Sequence, residues 1–420
     1  MQFDRMGSSP TAGQGDGRSD SYRWAACSCA LALFAALLGS TAPSPLYPIY
    51  ASQWSLGQAM INAVFAVYAI GTLLCLVIVG LVGDRVRTNR QLLLPALGLV
   101  AAGALLMAAA FNPIWLLVGR FLAGAGTGII TATAPAAFHE LLAPAQRKQT
   151  AMITTLAFTA GAACGPLLSA AAIALDLRPT LSPYAVIAAV AAAAASGILF
   201  AKWPPPRKRR RAGNVAHADL LTYGSPLAAQ ALAYLAIAVS WMIGSTIMAV
   251  GTRLALDLFG AGSVALAGLL PAAFQLFGGA GQTLFGFIDR RSAALYGLAG
   301  LALSQLVLWI AADAQISVAL IFAIPLCGLA YGAAFVGAAG LINETVAPDK
   351  RSAATSRFYI VGYLANAVPV LALGAFIDAV GLSLAFYVFS ATVIFLAMCG
   401  VFLALRTLAL RRRDSVKACG

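Results

Sequence analysis

One basic residue stands where charge is expensive. Arg120 lies in the run Leu117-Val-Gly-Arg-Phe-Leu-Ala-Gly-Ala-Gly-Thr-Gly128, which holds no other charged group. An Arg placed inside an apolar helix costs about 2.5–3.5 kcal/mol on insertion scales, so it is expected to face an interior and find a partner. The alternative is an Arg that snorkels to a nearby surface. Acids fall at the ends of apolar stretches: Asp84, Glu140, Asp289 and Glu344 at one set of ends, Asp176, Asp257, Asp313 and Asp378 at the other. The second set reads as solvated loop charges. Of two histidines, His139 ends the same stretch as Arg120 and is of the one side-chain type whose unperturbed pKa lies near neutral pH. Asp84, Glu140 and His139 are therefore the candidates for moving a proton. The seven cysteines have no partner histidines at metal-ligand spacing, and no G-x-x-x-x-G-K-[ST] run is present. No metal, cofactor or enzymatic reaction is expected from these residues.

A second set of side chains is neutral. Tyr47, Asn62, Tyr68, Thr127, Tyr234, Trp241, Met242, Gln275, Tyr331, Phe358 and Asn366 are aromatic, thioether or neutral polar groups within apolar stretches. Most such groups pack against neighbours. Those that line a path would present ring faces, which suit a neutral or cationic amphiphile.

The elements that must position these groups are membrane helices. The chain has 420 residues, 61% hydrophobic and 10% charged, with a mean hydropathy of +0.87. A soluble domain is nearer a quarter charged. Stretches of about 20 apolar residues, the length of a membrane span, recur along the chain without the strict alternation of barrel strands. Twelve are expected, so the fold class is an all-α polytopic membrane protein in two six-helix halves. Residues 1–23 read as a disordered tail, 24–201 and 226–405 as the two bundles, 202–225 as a basic loop and 406–420 as a basic tail. Among Lys and Arg, only Arg178 and Arg253 fall in loops on one side; apart from Arg120, the rest fall on the other. By the positive-inside rule both termini are cytoplasmic and the protein sits in the cell's inner (plasma) membrane. The basic run Arg207 to Arg211 then reads as an orientation signal beside lipid headgroups, with no nucleic-acid partner.

An internal repeat supports two equivalent halves. A shift of 204 residues aligns Gly124 with Gly328, Gly128 with Gly332, Glu140 with Glu344 and Arg147 with Arg351. The acid–base pairs Asp84-Arg85 and Asp289-Arg290 end corresponding helices. Parallel repeats of this kind place a substrate between the halves near the membrane midplane.

Three motifs carry a family resemblance. The turn Gly80-Leu-Val-Gly-Asp84-Arg85-Val-Arg87-Thr-Asn-Arg90 resembles the loop signature of the major facilitator superfamily, with Arg87 and Thr88 departing from it. Arg120 to Gly126 resembles that family's second motif, with Ala123 replacing its Gln. Gly161-Ala-Ala-Cys-Gly165-Pro166-Leu-Leu-Ser-Ala170 resembles the G-x-x-x-G-P-x-x-G-G of its drug and metabolite exporters.

The resemblance implies a secondary transporter, closest to the drug/metabolite:proton antiporter group, that exports a small organic compound by alternating access. Its expected partners are that small molecule, the lipid bilayer and protons, acting on a monomer. Gly80, Asp84, Arg85, Arg87, Arg90, Glu140, Asp289 and Arg290 would form the gating loops. Arg120, Tyr47, Tyr68, Thr127, Tyr234, Trp241, Gln275, Tyr331 and Asn366 would serve coupling or substrate. Gly161, Gly165 and Pro166 would pack a bent helix that seals the halves on the outside. An uptake permease for a sugar or carboxylate is the competing reading, because Arg120 could serve an organic anion.

Overall fold

The computed structural model describes residues 22–82, 88–142, 147–204, 226–347 and 351–419. Among the described residues twelve helices are long and apolar enough to cross a membrane. We number them α1 (Arg23–Gln53), α2 (Gln58–Leu81), α3 (Arg90–Ala108), α4 (Pro113–Phe138), α5 (Met152–Ala174) and α6 (Ser182–Phe200) in the first half. The second half has α7 (Leu227–Ala249), α8 (Val264–Phe285), α9 (Arg290–Asp313), α10 (Ala319–Thr345), α11 (Ala354–Val380) and α12 (Leu382–Ala409). An even number of spans brings both chain ends to one face, called here the terminal face; the other is the distal face. Large apolar side chains such as Leu81, Phe200, Phe287 and Phe395 lie exposed on the perimeter, where lipid would cover them.

Local sequence explains the helix starts. Asn112 accepts from the backbone N–H groups of Ile114 and Trp115 at the head of α4, with Pro113 in its first turn. Asp289 does the same for α9 by accepting from Ser292 N–H at 3.2 Å. The three prolines of α1, Pro43, Pro45 and Pro48, break it. A regular helix ends at Thr41, a tighter turn covers Ser44–Leu46, and a short helix follows over Tyr47–Gln53.

Within each half, small residues let backbones touch. A Cβ on Gly124 or Gly128 of α4 would strike the carbonyl oxygens of Tyr68 and Thr72 in α2. The repeat partners Gly328 and Gly332 of α10 press in the same way on Phe274 and Gly278 of α8. Between halves, α2 packs on α11 and α5 on α8.

Candidate functional site

A cavity of about 150 Å³ lies between the halves. The first half contributes Ser40 and Thr41 from α1, Phe65, Tyr68 and Thr72 from α2, Thr127 and Thr131 from α4, and Thr159 from α5. The second half contributes Trp241 from α7, Phe274, Gln275 and Gln282 from α8, Tyr331 from α10, and Tyr363 and Asn366 from α11. The expected residues Tyr68, Thr127, Trp241, Gln275, Tyr331 and Asn366 thus meet in one place. Their neighbours were missed although helical spacing marks them. Thr72 and Thr131 follow Tyr68 and Thr127 by one turn, Gln282 follows Gln275 by two, and Tyr363 precedes Asn366 by one.

Five other candidates stand elsewhere. Met242 packs half-buried against the core. Tyr47 is buried in the broken end of α1, Tyr234 packs half-buried against the core, and Phe358 is buried among rings of α10 and α11. Asn62 is buried at a contact between the halves, where its amide donates to Val370 O at 2.6 Å.

Arg120 is fully buried, which excludes the snorkelling alternative. Its guanidinium stacks 4.3 Å from the Tyr68 ring centroid and 6.0 Å from that of Phe65. Nη1 donates to the carbonyls of Ser40 at 2.9 Å and Gly39 at 3.4 Å, and Nε to that of Val64 at 3.4 Å. The origin of this carbonyl cradle is covalent. Residue 43 would donate to Gly39 O in a continuous helix, but Pro43 has no N–H. The Gly39 carbonyl is left free at a helix C-terminus, where the peptide dipoles favour a cation. Arg120 forms no ion pair among the described residues, and its Nη2 has no hydrogen-bond partner.

A polar seam closes the cavity towards the distal face. Asp378 of α11 accepts from the backbone N–H groups of Gln58 (2.7 Å) and Ala59 (2.9 Å), capping α2 from the opposite half. Gln58 accepts from Arg253 Nη1 at 2.8 Å and donates to Asn62 at 2.8 Å. Arg253 also pairs with Asp257 at 3.1 Å. The Ser44 hydroxyl donates to the carbonyl of Met248. Asp378 is therefore a helix cap between halves rather than the solvated loop charge expected from sequence.

The motif residues divide. Gly161 and Gly165 do make close packing, but against α1 of their own half. A Cβ on Gly165 would lie 2.7 Å from Leu38 O, and Thr41 Oγ1 donates to Ala162 O at 2.9 Å. This corrects the expectation that this face seals one half to the other. The helix continues through Pro166. At the terminal face Arg290 pairs with Glu344 at 3.6 Å and donates to Gly286 O at 2.7 Å. In the second half a base at the start of α9 thus meets an acid at the end of α10. Arg90 donates to Leu199 O at 2.6 Å, at the C-terminus of α6, so it is held within its own half. Gly80 faces open space. Asp84, Arg85 and Arg87 lie outside the described residues, as does the side chain of His139; Glu140 is half-buried at the end of the helix that α4 begins.

Among the described residues no Asp, Glu or His lines the cavity, and no cluster of three or more metal-ligating side chains occurs. The arrangement can bind and enclose a small molecule between two bodies.

Comparisons with known proteins agree with this geometry. The family model of the Major Facilitator Superfamily matches residues 29–291 and 261–417. Among solved structures, the chain resembles a bacterial homologue of the human lysosomal transporter Spinster in an inward-facing and occupied conformation. That match has 15% identity and a TM-score of 0.68, covering 94% of this chain and 97% of that one. It also resembles the peptide transporter POT in complex with sulfate, at 13% identity and a TM-score of 0.75, covering 95% and 98%. A POT family transporter in complex with 5-aminolevulinic acid matches at 12% identity and a TM-score of 0.72, covering 93% and 96%. No curated protein sequence matches.

Proposed function

Because the chain belongs to the major facilitator superfamily, we propose that it exports small organic compounds by alternating access, driven by protons moving the other way. The observation that carries this reading is the cavity between two similar halves, covered on the distal side by a polar seam. The terminal face is cytoplasmic in this reading, on the Lys and Arg asymmetry. A compound enters from that side, and the seam opens to release it outside.

The energetics are compatible. The seam comprises the two N–H bonds to Asp378, the Arg253–Gln58 and Asn62–Val370 bonds and the Ser44–Met248 bond. Each such bond contributes about 0.5–1.5 kcal/mol net. Opening therefore costs a few kcal/mol, within reach of a ligand's differential affinity for two states. Export rather than uptake is supported by the α5 segment Gly161 to Ala170, which resembles the exporters' motif and fixes α5 tightly to α1. Proton carriers in this reading are Asp84, Glu140 and His139.

The test is flux in a bacterium lacking its own pumps. Expression should lower the steady-state accumulation of at least one compound from a chemically varied panel, and a protonophore should abolish the difference. Raised accumulation would replace export with uptake. A difference insensitive to the protonophore would remove proton coupling.

A further inference from the structure

The polar atoms around the cavity restrict what it takes, given the reading above that the cavity is the transport site. Two residues of its lining carry a buried group with no hydrogen-bond partner, the Tyr68 hydroxyl and the Trp241 indole N–H, and Arg120 Nη2, on the guanidinium stacked against Tyr68, has none either. The indole and the guanidinium can only donate, and the phenol can donate. A buried donor left unpaired is costly, so a bound acceptor is favoured at this place. Tyr68 and Trp241 reach the cavity from opposite halves.

Charge points the same way. Arg120 lies against the ring of Tyr68, which forms part of the cavity wall. No carboxylate among the described residues neutralises it or lines the cavity. A lone buried charge is stabilised by a counter-ion and repels a second charge of its own sign. The aromatic walls alone would suit a cation, as the sequence suggests, but the Tyr68 face is already taken by Arg120. Size is the third restriction. A cavity of about 150 Å³ has room for one small ring.

We propose that the cavity binds a small single-ring organic monoanion, whose carboxylate accepts from Tyr68 and Trp241. Its ring packs among Phe65, Phe274 and Tyr331. The carboxylate bridges a donor on each half, so binding draws the halves together around it and favours the enclosed state.

The experiment is titration calorimetry and thermal unfolding of the full chain in lipid nanodiscs, with three probes of equal size: benzoate, benzamide and benzylammonium. Benzoate should bind best, benzamide more weakly, and benzylammonium not at all. Tyr68→Phe and Trp241→Phe should each weaken benzoate about tenfold, as expected for a lost hydrogen bond to a charged group. The unfolding temperature of Tyr68→Phe without ligand should stay near wild type, because its hydroxyl has no partner to lose, whereas Trp241→Phe also shrinks the ring packed on Tyr363 and should unfold a few degrees lower. Equal binding of benzylammonium and benzoate would overturn the proposal. So would unchanged benzoate affinity in both variants, or no binding of any probe to protein that unfolds cooperatively. Direction is read separately: benzoate-selective binding with inward flux would keep this assignment and remove export, and benzylammonium-selective binding with efflux would do the reverse.

Discussion

In the first half α4 carries Arg120; in the second, the residue 204 positions on is Ile324 of α10. Around Arg120 stand the free carbonyls of Gly39 and Ser40, left where Pro43 interrupts α1. The counterpart of Pro43 is Ile247, which keeps its N–H, and the next bonds of that helix persist, with Val250 N–H donating to Thr246 O at 2.8 Å. The matching space in the second half is a small apolar cavity lined by Ile243, Phe259, Ile324 and Phe386. The glycine contacts, by contrast, are the same in both halves: α4 on α2, and α10 on α8. The repeat thus preserves what brings helices together and varies what lines the cavity. One half holds the charge; the other supplies most of the rings and amides, from Trp241, Gln275, Gln282, Tyr363 and Asn366.

Exchanging the two equivalent residues should give the largest effects. Ile324→Arg would bury a charge with no carbonyl cradle, at about 3–5 kcal/mol for an uncompensated buried charge, and should leave little folded protein in the membrane. Arg120→Leu should fold well enough to be measured, yet lose transport by at least about tenfold, because the Ser40 and Gly39 carbonyls lose their donor. Arg120→Lys should recover part of it. Membrane yield and flux, measured together, separate these outcomes; equal yields for Ile324→Arg and wild type would end the contrast between halves.

The glycine contacts should respond alike. Gly124→Leu and Gly328→Leu each force apart a backbone contact, and overpacking costs about 1–3 kcal/mol. Both should lower the unfolding temperature by similar amounts. A large effect in one half alone would mean that the scaffold is not shared. The smallest effect belongs to the seam. Asp378→Asn keeps the hydrogen-bonding shape but removes the charge on the α2 N-terminus, worth about 0.3–1 kcal/mol. It should raise distal-face reactivity of cavity thiols by about two- to fivefold without stopping transport.

Much of this could be read from residues. Twelve apolar stretches, the repeat and an Arg that must face inwards follow from the cost of polar groups in lipid. The neutral lining was half legible: Tyr68, Trp241 and Asn366 stand out by type, but Thr72, Gln282 and Tyr363 need the helix phase that only a fixed interior reveals. The Asp378 cap on Gln58 and Ala59 was not legible, because it joins positions some three hundred residues apart. Nothing local distinguishes that carboxylate from a solvated one. The helix that Gly161 and Gly165 meet was also hidden, since a small-residue face specifies closeness and not the partner.

The central claim is that one cavity between the halves is reached from each face in turn. A cysteine-free protein carrying Gln275→Cys, labelled by a membrane-impermeant thiol reagent applied to one face at a time, tests it directly. Reaction from both faces, with distal-face labelling raised by Asp378→Asn, is the predicted result. Labelling from a single face, unchanged by that substitution, would contradict it.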